Sequence, residues 1–153
     1  MKLWRTRRTR AAYSRLAAEV AEHDVIHAAE DIVGAAWMAG LVEAEGQAAA
    51  AQRVCTHMRD TAYEIYRSAE SSRDTERLNQ SYRELAASQQ ALGRVRDRHD
   101  GLRQFAERER AAWAEASRVR AMEMLADRER LAEAARAAGI AGEPIAGVLG
   151  ELG

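Results

Sequence analysis

Residues 68–77 read SAESSRDTER, and this stretch decides how the chain folds. It lies near the middle of 153 residues and gathers serine, aspartate and threonine where the flanking sequence is rich in alanine, arginine, glutamate and leucine. The flanking residues are strong helix formers. Serine and aspartate instead compete for backbone hydrogen bonds and favour caps and turns. Ser71 followed by Asp74, with an acid in the turn that follows, matches a helix start. A turn here makes two long antiparallel helices from one chain.

Downstream of the turn, Leu78, Leu85, Leu92, His99, Ala106 and Trp113 recur every seven residues, with Ser81, Ser88, Val95 and Leu102 in the complementary slot. This is a heptad seam of the coiled-coil kind, weakened by serine at core positions. After Trp113 the apolar set drifts to Val119, Met122, Met124, Leu125 and Leu131, and Gly139 marks the expected helix end.

Upstream, a stripe of helical period runs through Tyr13, Leu16, Val20, His23, His27, Glu30, Gly34, Trp37 and Leu41, then Ala44, Ala48, Cys55, Met58, Ala62 and Ile65. Val25, Ile26, Ile32 and Val33 fall on roughly the opposite side. A helix apolar on two sides is expected to be sandwiched between partners. Gly34, Gly40 and Gly46 each weaken the helix by about 1 kcal/mol relative to alanine. They are expected either to admit a close neighbour or to break the helix, most naturally at Gly46, which would make three helices of two.

The expected fold is therefore all-α: a long helical hairpin over residues 11–138, of two to three helices with coiled-coil-like seams. A basic arm (1–10) precedes it, with the first helix beginning near residue 9 or 10. A glycine-rich linker and a short amphipathic helix (139–153) follow. Pro144 is the sole proline and suits a first helical turn. Ile145, Val148, Leu149 and Leu152 then form a small apolar face.

Net charge is −1, which exerts no global pull toward nucleic acid or membrane. Its distribution is uneven. Residues 1–10 carry five cations and no acid, whereas residues 11–50 carry one arginine against seven acids. The most apolar window, residues 25–42, is interrupted by His27, Glu30 and Asp31. A charge at the centre of a bilayer costs a few kcal/mol, so no membrane span is expected. Cys55 is the single cysteine, which excludes an intrachain disulfide, and a reducing cytoplasm is the expected setting.

Three faces bear on function. Glu19, His23, His27 and Glu30 stand at i, i+4, i+8 and i+11, within about 80° of one another on a helix. Histidines four apart can hold one metal ion. The pattern supplies one half of a bundle metal site and no second Glu-x-x-His copy, and ordinary pairing of each histidine with a nearby acid accounts for the same residues. Trp4, Arg5, Arg7, Arg8 and Arg10 combine an aromatic with cations, as a phosphate-binding arm would, although no recognition motif follows them. Ile32, Val33, Trp37 and Leu41, with Ile145, Val148, Leu149 and Leu152 in the tail, are the candidate partner-binding residues.

No phosphate loop or nucleophile–base pair is present in the sequence. The leading expectation is a non-catalytic helical adaptor, scaffold or chaperone-like component, without cofactor. It would act by helix packing on itself, as a homodimer, or on a larger protein partner. A helical-bundle metalloprotein using the Glu19/His23/His27/Glu30 face and a small nucleic-acid-binding protein using the basic arm are the two alternatives.

Overall fold

The computed structural model describes residues 2–140, with side chains from Arg7 onward. The tail residues Ile145, Val148, Leu149 and Leu152, and the side chains of Trp4 and Arg5, lie outside the described residues. Two helices account for nearly all of the described chain: α1 (Lys2–Glu70) and α2 (Thr75–Ala137), packed against each other as an all-α hairpin.

α1 runs unbroken for 69 residues, so it neither starts at residue 9 or 10 nor breaks at Gly46. No proline precedes residue 10 to stop it. An interior glycine costs only about 1 kcal/mol, and an added Cβ at Gly40 or Gly46 would meet nothing within 4 Å. Those glycines neither admit a close neighbour nor end the helix.

The connection is made by residues 71–74. Ser71 and Ser72 donate their hydroxyls back to the carbonyls of Ser68 and Ala69 at 2.9 and 2.8 Å, satisfying the open end of α1. Asp74, not Ser71, is the cap of α2: its Oδ1 accepts from the amides of Glu76 and Arg77, both at 3.1 Å. At the far end of α2, Gly139 adopts φ +64°. Its amide donates to the Arg136 carbonyl and that of Ile140 to the Ala135 carbonyl, the paired bonds of a Schellman cap.

The hairpin divides into two units, one made of Met1–Gly34 with Trp113–Gly153 and the other of Ala35–Ala112. The second unit contains the turn and an apolar seam. Leu41, Ala69, Leu85, Leu92 and Ala106 are buried there. Ser81 is buried too, and it and Ser88 donate to the carbonyls of Leu78 and Leu85, so the seam serines are satisfied within their own helix. Trp37 meets Phe105 edge to face, with ring centroids 6.4 Å apart, and its indole nitrogen donates to Glu109 at 3.0 Å. Glu45 pairs with Arg110, and Tyr66 lies against Tyr82.

Candidate functional site

The first unit joins its two helices largely through ion pairs, and its Tyr13, Leu16, Met124 and Leu131 are only half-buried. Among the described residues its fully buried apolar side chains are only Val20 and Ala138. The seven-residue beat of α2 does not stop at Trp113; it continues through Arg120 and Asp127, with the same spacing and different chemistry. These two, with their neighbours, meet the acids and histidines of α1. Arg120 pairs with Asp31 and stands 3.9 Å from Glu30. Arg128 reaches Asp24 at 2.6 Å, and Arg130 reaches Glu19 at 3.7 Å.

Within this ladder, His23 Nδ1 lies 3.0 Å from the Asp127 carboxylate, whose side chain is mostly buried. The hydrogen bond to Asp127 raises the His23 pKa above its ordinary value of 6.5, against partial desolvation and with help from the charges of Asp127, Glu19 and Glu22. The same hydrogen bond holds Asp127 below its ordinary 3.8, against desolvation, assisted by the charges of His23 and Arg130. His27 sits between Glu30 and Glu123, 3.7 Å from each.

The quartet Glu19, His23, His27 and Glu30 is thus on one face of α1, as its spacing requires, but its members are shared out. Glu19 goes to Arg130, His23 to Asp127, and Glu30 to His27 and Arg120. Among the described residues no group of three or more histidine, cysteine, aspartate or glutamate side chains converges as metal ligands. What the ladder does do is fix register. Exposed ion pairs contribute roughly 0–1 kcal/mol each, but sliding one helix past the other would set Arg120 or Asp127 against the wrong partner.

One glycine shapes this unit. A Cβ built on Gly34 would run into the indole ring of Trp113. Gly34 is therefore the glycine that admits a close neighbour, a tryptophan from α2.

Outside the ladder, α1 carries an unpartnered apolar face. Val25, Ile32 and Val33 are 70, 71 and 68% exposed, and Ile26 about half. Of the four α1 residues expected to bind a partner, Ile32 and Val33 are on this outer face. Trp37 is half exposed but engaged with Phe105 and Glu109. Leu41, only 6% exposed, packs into the hairpin's own seam and offers nothing outward. Arg7, Arg8 and Arg10 are exposed along the first turns of α1.

By length and composition α1 contains one 18-residue window apolar enough to cross a membrane, with mean hydropathy 1.4 and 6% of it buried. Placing Glu30, Asp31 and Arg120 in hydrocarbon costs several kcal/mol even when they are paired. The hollow on the surface lined by Gln52, Arg53, Thr56, His57 and Asp60 runs along a single helix and offers no enclosed site.

No protein-family model, curated protein or solved structure matches this chain.

Proposed function

We propose that the chain is a non-catalytic helical docking component whose binding surface is the outer face of α1 around Val25, Ile26, Ile32 and Val33. The observation that supports it is the exposure of four β-branched side chains on α1, in a unit whose two helices are joined by ion pairs. Single exposed apolar residues are ordinary, but four on one helical face mark an interaction surface. Helix-on-helix packing is the mode that fits, because Val25, Ala29 and Ile32, and likewise Ile26, Ala29 and Val33, are spaced 3, 4 and 7 apart, as side chains that fill a groove on another helix are. The same face, with Glu30, Asp31 and Arg120 close by, suits a protein partner with a polar rim better than lipid.

The test is purification of the tagged chain from its native cell, beside Ile32→Glu/Val33→Glu. The wild-type chain is expected to arrive with a stoichiometric companion, another polypeptide or a second copy. The variant should arrive alone with unchanged helical circular dichroism. A wild-type chain that is monomeric and alone would sink the reading. Retention on lipid vesicles, lost in the same variant, would move the surface from protein to membrane.

A further inference from the structure

We propose that the first unit is a latch worked by pH: protonated His23 and His27 hold its two helices together, and their loss of charge as pH rises lets the helices part there while the second unit stays closed. The latch lies in the seam and is independent of what the outer face of α1 binds.

Both histidines stand between carboxylates of the two helices. His23 faces Asp127 on α2 at 3.0 Å, with Glu19 and Glu22 acting on it from α1. His27 faces Glu123 on α2 and Glu30 on α1, each at 3.7 Å. The side chains of His27 and Asp127 are only 14 and 10% exposed, so salt screens them less than a surface pair. The cations facing the same groups are arginines of α2, and each is already engaged. Arg130 is divided between Asp127 and Glu19, and Arg120 between Asp31 and Glu30, while Arg128 is held by Asp24. Among the described residues Glu123 meets no arginine, and His27 is its ion-pair partner.

The chemistry of imidazole then gives the direction. The protonated ring has two N–H donors and a positive charge, and the neutral ring has one donor and no charge. Once neutral, His27 can donate to Glu30 or to Glu123 but not to both. Neutral His23 leaves Arg130 alone to offset Asp127 and Glu19. The hydrogen bond to Asp127 raises the His23 pKa above 6.5. Its share of the closure is therefore fully present below 6.5 and is lost as pH rises through the elevated value. Little else closes this unit, since only Val20 and Ala138 are buried apolar residues there among the described ones. Opening uncovers the half-buried Tyr13, Leu16, Met124 and Leu131. The second unit has no such device. Its apolar seam is buried, His57 is exposed, and His99 lies beside Asp100 of its own helix.

The experiment is amide hydrogen exchange on the full chain from about pH 6 to about pH 8.5, the range in which histidine changes charge. Rates are divided into those of the unfolded chain at the same pH, which gives a protection that reports opening. Protection of residues 13–31 and 116–134 is expected to fall as pH rises, and that of residues 41–106 to hold. His23→Gln/His27→Gln should start at the low protection and show no further fall, with unchanged helical circular dichroism and an unchanged second unit. Should that variant fail to fold, Glu123→Gln decides, because loss of this exposed carboxylate should lower protection at the acid end and shrink the fall. First-unit protection that is flat with pH, or that falls in step with the second unit, overturns the latch. So does the full wild-type pH dependence in the double variant or in Glu123→Gln.

Discussion

His23 and Asp127, 104 residues apart, are joined by a hydrogen bond of 3.0 Å that pins the first unit in register. The bond raises the histidine's pKa and lowers the aspartate's, so the pair stabilises the fold most between their ordinary values of 3.8 and 6.5. The His23 contribution is fully present below 6.5 and is lost as pH rises through the elevated folded value. The Asp127 contribution is present above 3.8 and is lost as pH falls through the depressed one. Urea midpoints measured against pH should therefore be highest in mildly acid solution. Asp127→Asn should flatten the profile on both sides, and an unaltered profile in that variant would contradict the assignment.

Gly34 and Trp113 predict a sign reversal. Gly34→Ala gains about 1 kcal/mol of helix propensity but drives a methyl into the indole, an overpacking that costs about 1–3 kcal/mol. The variant should be net destabilised. In a Trp113→Ala background the same substitution should instead stabilise by about 1 kcal/mol, since only the propensity remains. Thermal melts of the four chains decide it.

Asp74 caps α2 with two amide hydrogen bonds. Asp74→Ala should cost about 1 kcal/mol, while Asp74→Asn, which keeps an accepting oxygen, should cost little. Equal losses in both would mean that the charge, and not the cap, is what counts.

Leu41 and Ile32 look alike in the sequence and should behave oppositely. Leu41→Ala removes a buried side chain and should cost about 2–4 kcal/mol. Ile32→Glu alters an exposed one and should change the stability of the isolated chain by about 0.5 kcal/mol or less. Denaturant titrations at low protein concentration separate fold from docking.

The hairpin was legible because its signals are local. Serine and aspartate at 71–74 mark the turn, and Leu78, Leu85 and Leu92 beat at seven. Assigning the cap to Ser71 failed because both residues can cap, and only the chain's path shows that Ser71 closes α1 while Asp74 opens α2. The polar seam was missed for another reason. Counting apolar residues alone ends the beat at Trp113, whereas counting positions carries it to Arg120 and Asp127. That count would have found His23's partner. The double-sided section was visible in Val25, Ile26, Ile32 and Val33, but which apolar side faces the hairpin depends on α2. Thus Leu41, on the stripe opposite Ile32 and Val33, was still counted with them among the candidate partner-binding residues, although it is buried in the hairpin.

The tight connection at residues 71–74 also sets an order of assembly. Loop-closure entropy grows with the length of chain enclosed. Tyr66 and Tyr82, sixteen residues apart, can find each other early; His23 and Asp127 must wait for the chain between them. Folding should run as a zipper from the turn outward, with contacts near it formed in the transition state and the histidine–aspartate pair formed after it. Kinetic analysis of Leu85→Ala against Asp127→Asn would read that order: the first slowing folding, the second speeding unfolding. The first unit, remote from the turn, would then be the last part of the hairpin to close and the first to open.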